Sequence, residues 1–236
     1  MDIEIISIEG NIGSGKSTFV KNMESYCKKK GLVNIFFLYE PVDEWESIKN
    51  EKGETILSCF YKDNEKYSFA FQMMAYISRY TKLRKCIENI EKKINGQINI
   101  PYLKEKYYIV TERCLYTDKY VFAQMLHDDK KMSTIEYQIY NKWFYEFSED
   151  FKISKLLYVN SDPQLCFERV GKRDRTGESK IPLEYLKSCD KYHQILGSKM
   201  ITKYNTKYYP INGKIDVNDN NYRILIENTL HYIMSS

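Results

Sequence analysis

The chain of 236 residues carries 36 lysine and arginine residues against 32 aspartate and glutamate residues, which leaves a formal net charge of +4. This mild excess does not demand nucleic acid as a partner, and no apolar run approaches the roughly 18 residues that a membrane span needs. The six cysteines form no C-x-x-C pair and accompany no histidine cluster, which argues against a zinc site or a disulfide framework and fits a reduced, cytoplasmic protein. Because no Pro/Gly/Ser-rich linker divides the sequence, residues 1–236 are expected to form one domain.

An apolar strand pattern, Ile3–Ile8, opens the chain and runs into a glycine-rich segment. The spacing Gly10-x-x-x-x-Gly15-Lys16-Ser17 is typical of a phosphate-binding loop, in which backbone N–H groups point at phosphate oxygens. Lys16 adds a mobile charge, Ser17 is the usual ligand of a magnesium ion, and the helix that follows directs the positive end of its dipole at the anion. A glycine turn with a purely structural role is the alternative. The pattern predicts that ATP or a similar nucleotide is bound by Gly10, Asn11, Ile12, Gly13, Ser14, Gly15, Lys16, Ser17 and Thr18.

Further strand patterns alternate with helical patterns along the rest of the chain. They lie at Val33–Tyr39, Tyr107–Thr111, Lys155–Asn160 and Lys207–Ile211. This alternation is typical of a parallel sheet wrapped by helices, so the predicted fold class is α/β, Rossmann-like, with five parallel strands. The longest helical pattern, about Asn64–Ile94, has an apolar stripe that would face the core or a dimer partner.

Two polar signals follow predicted strands. Glu40 ends the second strand, and Glu112 and Arg113 end the third. Because ligands of an open α/β sheet collect beyond the carboxyl ends of its strands, these residues are expected to share one cleft with the glycine-rich loop. There Glu40 could be catalytic or merely solvated. Arg113 could spread charge over a phosphoryl group while Glu112 holds a metal ion, or the two could form a surface ion pair.

A basic segment lies between two helical patterns, at about residues 169–181. Arg169, Lys172, Arg173 and Arg175 surround two glycines, a composition that favours mobility. Such a lid could close over a triphosphate, exclude water and stabilise the charge of the transferring group. A solvated charged loop is the alternative interpretation.

Five motifs in the same order resemble those of the deoxynucleoside kinase family, closest to its deoxycytidine and deoxyguanosine kinases: GNIGSGKST, EPVDEW, FAFQMMAYISR, ERCLYTDKYVFA and RDRTGESKIPLEYL. The resemblance runs to about Leu186. It implies a three-layer, P-loop NTPase-like fold and transfer of the γ-phosphate of ATP or another NTP to the 5′-hydroxyl of a deoxynucleoside in nucleotide salvage. Glu40 would then be the general base, Arg113 would hold the 5′-oxygen and the phosphates, and Glu112 would serve Mg²⁺ together with Ser17.

The resemblance also implies how the nucleoside is read. Gln72 would make paired hydrogen bonds to the base, because one amide offers both a donor and an acceptor. Arg79 lies seven residues further on the same helical face and would reach the base with Asp118, so that dC, dA or dG is accepted and thymidine fares poorly. Trp45 and Phe122 would line the base pocket, with ordinary core packing as the alternative.

The sugar and the donor base are matched less completely. Tyr61 and Glu178 correspond to the pair that grips the 3′-hydroxyl. The segment IDVNDNNY resembles the loop around the donor adenine, which implies that Asp219 and Asn220 bind the donor. Asn221 stands where relatives often have an aromatic residue, so either ATP or UTP could be the donor. The family is typically dimeric through long helices.

Two other functions remain open on the sequence. A nucleoside monophosphate kinase of the thymidylate kinase type shares the loop, the lid and the fold, but has less use for Glu40 because its acceptor is already an anion. A nucleotide-regulated nucleic-acid-binding module would use the 22 tyrosines for stacking on bases. No single-strand-binding motif supports that second reading, and we expect small-molecule partners rather than nucleic acid or membrane.

Overall fold

The computed structural model describes residues 2–96, 106–173 and 181–235. Within these ranges one sheet contains five strands, which are β1 Asp2–Glu9, β2 Ile35–Leu38, β3 Lys106–Glu112, β4 Ile153–Asn160 and β5 Lys207–Asn212. All neighbouring strands are parallel, in the order β2-β3-β1-β4-β5. Ile8 of β1 is paired with Glu112 of β3 and with Leu157 of β4, so the chain leaves these strands along one edge of the sheet.

Helices connect the strands and cover both faces of the sheet. They are α1 Lys16–Lys29, α2 Val42–Ser47, α3 Ile56–Lys62, α4 Asn64–Gly96, α5 Leu115–Thr117, α6 Gln124–Asp128, α7 Thr134–Phe147, α8 Pro163–Arg173, α9 Leu183–Thr202 and α10 Asn220–Met234. A π-helical turn, Asp118–Ala123, joins α5 to α6, and a 3-10 turn, Ser148–Asp150, follows α7. None of the helices in the described ranges is long and apolar enough to cross a lipid bilayer.

Alternation along β1 divides the core into two layers. Ile5 packs with residues of α4, α7 and α9 on one face of the sheet. Ile6 and Ile8 point to the other face and pack with residues of α1 and α10. This is the period of two expected for a strand that is buried on both sides. The predicted α/β fold, with a five-stranded parallel sheet between helical layers, is confirmed.

The predicted strand boundaries differ from the structure by two residues at two places and by at most one residue elsewhere. β2 begins at Ile35 rather than Val33, and just before it the side-chain amide of Asn34 donates to the carbonyl oxygen of Lys106 at 2.9 Å. β4 begins at Ile153, two residues before the predicted start, and Ser154 within it donates its hydroxyl to Ile5 O at 3.0 Å. Polar side chains that bond to neighbouring backbone blur a pattern based on apolar residues.

Helix α4 extends two residues beyond its predicted end at Ile94. Tyr80, Leu83 and Ile90 of the predicted stripe are buried, whereas Ile77 is exposed. The helix thus buries one face against the sheet and leaves part of the stripe uncovered. All six cysteines are free thiols.

Candidate active site

The glycine-rich loop lies between β1 and α1, with its backbone pressed against α8. Gly13 has φ of +79°, and a Cβ atom there would lie 2.5 Å from the carbonyl oxygen of Cys166. Only glycine fits this position, because both the backbone angle and the space exclude a side chain. The loop therefore keeps a backbone shape that presents N–H groups rather than side chains.

Lys16 points its ammonium group into this loop. Its Nζ donates to the carbonyl oxygen of Asn11 at 2.7 Å. Burial, with repulsion from Arg113, lowers the pKa of Lys16 to about 8, although Glu112 and other carboxylates oppose that shift. An ammonium group with these surroundings gains a strong partner when a phosphate occupies the loop.

The start of α1 meets the end of β3 through two oxygen-bearing side chains. Ser17 Oγ donates to Glu112 Oε1 at 2.5 Å, so a hydroxyl and a carboxylate lie side by side at the edge of the loop. Oxygen atoms of this kind are the ligands that Mg²⁺ prefers. No group of three or more His, Cys, Asp or Glu that could hold a metal lies within the described residues. A donor set this small fits Mg²⁺, which takes its other ligands from phosphates and water.

Glu40 forms a buried ion pair with two arginines. Its Oε1 lies 2.6 Å from Arg113 Nη1 and 3.3 Å from Arg79 Nη2. Burial acts to raise the pKa of Glu40, but the charges of Arg113 and Arg79 outweigh burial and hold it well below the usual range. No hydrogen-bond partner of Glu40 Oε2 lies within the described ranges, so one carboxylate oxygen is available to a ligand.

Arg113 is held in an uncommon backbone conformation. Its φ is +63°, the left-handed region that non-glycine residues rarely adopt, and its N–H donates to Ile8 O at 3.0 Å. The guanidinium carbon lies 5.1 Å from the ring centre of Phe122. Strained backbone of this kind persists where the surroundings over-determine it, and it is common at active sites.

Arg79 and Asp118 form a second buried pair beside the first. Arg79 Nε donates to Asp118 Oδ2 at 2.9 Å and its Nη2 lies 3.3 Å from Oδ1, while its Nη1 donates to Glu112 O at 2.7 Å. Burial raises the pKa of Asp118, and Arg79 counteracts that rise. The two residues that the resemblance assigns to the base are thus bonded to each other across 39 positions of the chain.

Aromatic side chains and one amide enclose the space beside these pairs. Trp45 packs edge to face on Phe71 with ring centres 5.3 Å apart, and its Nε1 donates to Ser78 Oγ at 3.0 Å. Gln72 is only 2% exposed, and its Oε1 has no hydrogen-bond partner among the described residues. A buried acceptor without a partner is costly, so this oxygen is suited to a donor on a ligand.

One cavity of about 430 Å³ contains most of the predicted site residues. Its lining includes Ile12, Gly13, Ser14, Gly15, Lys16, Ser17, Thr18, Glu40, Trp45, Tyr61, Gln72, Arg79, Glu112, Arg113, Asp118, Phe122, Arg169 and Arg173. A nucleoside and part of a nucleotide fit a volume of this size. The loop and the carboxylate at the end of the second strand therefore do share one cleft.

Four predicted residues in the described part of the chain do not line this cavity. Gly10 lies beneath the loop, and Asn11 turns its side chain away to donate from Nδ2 to Leu186 O at 2.8 Å. Asp219 caps the N-terminus of α10, where its side chain accepts from the backbone N–H of Asn221 at 2.8 Å. The donor contacts of Asp219 and Asn220 stay a prediction.

Two further predicted residues, Arg175 and Glu178, lie outside the described residues, as does most of the predicted lid. Arg169 and Arg173 are the parts of that lid that the structure describes, both on α8. Arg169 Nη1 donates to Ser14 O at 3.2 Å and to Gly213 O at 3.0 Å, so it joins the glycine-rich loop to the loop after β5.

The cavity has lining residues that sequence reasoning missed. Near Gln72 these are Leu57, Phe60, Phe71 and Ala75, and Gly213 is one that follows β5. Helical spacing could have indicated Phe71 and Ala75, which lie beside Gln72 on α4. Ile215, Asp216 and Val217 line the cavity too and begin the segment IDVNDNNY, whose resemblance to the loop around the donor adenine already pointed to this part of the chain.

A phosphate-binding loop that shares a nucleoside-sized cavity with an ionised carboxylate and two arginines defines a nucleotide-dependent phosphotransferase. The model of the family described as deoxynucleoside kinase matches residues 6–233. The chain belongs to the deoxynucleoside kinase family, and the predicted phosphotransferase activity toward deoxynucleosides is confirmed.

Individual relatives agree with this assignment. The chain is 30% identical over 208 residues to human deoxycytidine kinase, which covers 81% of this chain and 74% of that protein. It is 30% identical over 222 residues to the probable deoxycytidine kinase of fowlpox virus, covering 92% and 82%. To the mitochondrial deoxyguanosine kinase of Xenopus laevis it is 27% identical over 219 residues, covering 86% and 76%. Nothing in these matches favours a thymidylate kinase.

Proposed function

We propose that this enzyme transfers the γ-phosphoryl group of ATP or another NTP to the 5′-hydroxyl of dC, dA or dG, in preference to thymidine, for nucleotide salvage. The observation that carries the proposal is that Glu40 Oε1 lies 2.6 Å from Arg113 Nη1 within the cavity that Lys16 also lines. A carboxylate that can accept a proton from an alcohol and cationic groups that can bind phosphates thus line the same cavity. The names of the human, fowlpox and Xenopus relatives support deoxycytidine and deoxyguanosine as acceptors.

Glu40 is the acceptor of the 5′-hydroxyl proton in this proposal. Its lowered pKa keeps the carboxylate ionised at neutral pH, although it makes the group a weak base. Phosphoryl transfer passes through a loose transition state that needs little activation of the nucleophile, so position matters more than basicity. Both arginines contact Oε1, which leaves Oε2 to accept the proton while Arg113 stays next to the reacting oxygen.

Ser17 and Glu112 would hold a Mg²⁺ ion through their adjacent oxygens. The ion would neutralise negative charge on the phosphates of the donor. The residues of this chain do the remaining work. Lys16 pairs with phosphate oxygens, the loop N–H groups orient them, and Arg169 and Arg173 lie on the cavity wall where further cations are needed.

The base is read by Gln72 together with the pair of Arg79 and Asp118. The free Oε1 of Gln72 accepts a hydrogen bond and its amide donates one, which suits a base edge with both groups. Cytosine, adenine and guanine each carry an exocyclic amino group, which thymine lacks. A site built to bond that group rejects an analogue without it, because its own buried polar atoms are then left unpaired.

The test is a panel of the four deoxynucleosides and their 5′-monophosphates with ATP and UTP, measured as kcat/KM. We expect turnover of deoxynucleosides, with thymidine the poorest. Turnover of monophosphates alone would refute the proposal. Equal turnover of thymidine and deoxycytidine would refute the assignment of Gln72, Arg79 and Asp118 to the base while leaving the kinase intact.

We further propose that the enzyme is a homodimer, as the family resemblance implies. Ile135, Ile139 and Trp143 of α7 recur at steps of four and are exposed, and Ile77 of the adjoining α4 is exposed as well. A contiguous apolar face of this kind marks an interaction surface. Sedimentation should show a dimer for the wild type and a monomer for Ile139→Glu, whereas the exposed Ile224→Glu on α10 should stay dimeric. A monomeric wild type would refute this second proposal.

We also propose a cytoplasmic location, which the free cysteines support.

A further inference from the structure

Glu9 is a buried carboxylate that the reaction described above does not use. It ends β1, one residue before the glycine-rich loop, and its side chain is fully buried. Oε1 accepts hydrogen bonds from Ser7 Oγ and Thr117 Oγ1, both at 2.5 Å. Oε2 has no hydrogen-bond partner among the described residues. A carboxylate in this state is costly to bury, so its surroundings must offset the cost.

Cations of the active site supply part of that offset. Glu9 is among the charges that raise the pKa values of Lys16, Arg79 and Arg113. None of the three lies within ion-pair distance of Glu9 in the described part of the chain, so the attraction acts through the low-dielectric interior. Glu9 therefore belongs electrostatically to the cavity although it does not line it.

The hydrogen bond from Thr117 gives Glu9 a second connection to the site. Thr117 ends α5, and its backbone N–H donates to Cys114 O at 3.0 Å. The next residue, Asp118, begins the π-helical turn and pairs with Arg79. π-helical turns are rare and frequently lie at functional sites. The Thr117 side chain is the contact at the start of this turn, and its partner lies 108 residues earlier in the chain.

We propose that Glu9 is a positioning residue, which fixes Asp118 relative to the phosphate-binding loop through its hydrogen bond with Thr117. The proposal rests on the proposed function, because it assumes that Asp118 reads the base. The hydrogen bond between Glu9 and Thr117 connects the part of the site that binds the phosphate donor to the part that binds the acceptor, and neither side chain need touch a substrate. The sequence carries one signal for it, a carboxylate directly between a strand pattern and the glycine-rich loop.

Thr117→Val tests the hydrogen bond, because valine keeps the shape and loses the hydroxyl. We expect the KM for deoxycytidine to rise about tenfold, since the bond is made to a charged group, with kcat and the KM for ATP within about twofold of wild type. Thr117→Ser keeps the hydroxyl and should restore the wild-type KM. Ser7→Ala is the matched control, because it removes the other hydrogen bond to the same oxygen and keeps the Thr117 hydroxyl in place, and all constants should stay within about twofold.

Glu9→Met removes the acceptor itself, and adding Thr117→Val to it should raise the KM for deoxycytidine no further. If Glu9→Met does not fold, the two Thr117 variants still decide the matter. The inference is overturned if Thr117→Val behaves like Ser7→Ala, if it raises the KM for ATP as much as that for deoxycytidine, or if Thr117→Ser fails to rescue. A wild type without deoxynucleoside turnover would instead refute the proposed function.

Discussion

Replacing Arg79 by methionine is expected to destabilise the protein strongly, because it leaves a buried carboxylate without its partner. Arg79 bonds Asp118 at 2.9 and 3.3 Å, Glu112 O at 2.7 Å and Glu40 at 3.3 Å. Breaking a buried ion pair on one side costs about 3–5 kcal/mol. At about 2–4 °C per kcal/mol for a chain of this length, the Tm should fall by roughly 10 °C.

Adding Asp118→Ala to Arg79→Met should recover at least about 2 kcal/mol, because the orphaned charge is then removed. The two variants should also differ in their pH dependence. Burial already raises the pKa of Asp118 against the effect of Arg79, so the pKa rises further when Arg79 is absent. A carboxyl group with a higher pKa in the folded than in the unfolded state binds more protons when folded. The stability of Arg79→Met should therefore fall as the pH rises from about 5 to about 8. The double variant has no Asp118 carboxyl group and should lack this slope.

Urea unfolding of the wild type, both single variants and the double variant, at about pH 5.5 and about pH 8, measures these differences. The kcat/KM ratio of deoxycytidine to thymidine, measured on the same proteins, should move toward thymidine in the double variant. Strictly additive losses of stability, or an Arg79→Met variant whose stability does not depend on pH in this range, would refute the reasoning about the pair. Wild-type selectivity in the double variant would show that these residues do not read the base.

Three further outcomes are expected. Glu40→Gln should lower kcat by about 10²-fold or more with little change in ATP binding, and an unaltered kcat, measured with a coupled ADP assay, would remove Glu40 from the mechanism. The kcat/KM for ATP should fall above about pH 8, because the free enzyme then loses the Lys16 charge; a Lys16→Arg variant that keeps this fall would assign it to another group. Lys119 is buried against the rings of Tyr145 and Phe144, and burial lowers its pKa to about 7. Lys119→Met should therefore raise the Tm at about pH 6.5, where the wild type carries a buried charge. The increase should be smaller at about pH 9, because the wild-type lysine has then lost that charge. A lower Tm at the acidic pH would contradict this.

Sequence patterns could predict the sheet because each strand is a short apolar run between clear helix and turn signals. β1 illustrates the case, since its apolar residues lead directly into the glycine-rich loop. Boundaries set by side chains were not predictable in the same way. Asn34, just before β2, donates from its side chain to the backbone of Lys106, a neighbour that only the folded sheet supplies.

The residues of the candidate site likewise divide into those that the sequence could place and those that it could not. Residues next to strand ends, such as Glu40 and Arg113, could be placed because the fold class itself gathers those ends. Asn11 could not, because the motif treats the whole loop as phosphate-binding while the structure commits this side chain to Leu186 O, 175 positions away. Glu9 escaped notice for the same reason, since the importance of its carboxylate depends on Thr117, which arrives from another part of the chain.

Buried polar atoms that have no hydrogen-bond partner among the residues described by the structure distinguish binding groups from positioning groups in this site. Arg113 has two such atoms, Nε and Nη2, and Gln72 has one, Oε1. Each costs free energy that only a new hydrogen bond recovers, and both residues line the cavity, so substrate atoms can supply the bond. Glu9 Oε2 is equally unpaired but does not line the cavity, and a substrate cannot reach it. The charges around Glu9 must offset the cost of this unpaired atom. An unpaired polar atom therefore indicates a binding role at Gln72 and Arg113, which line the cavity, and a positioning role at Glu9, which does not.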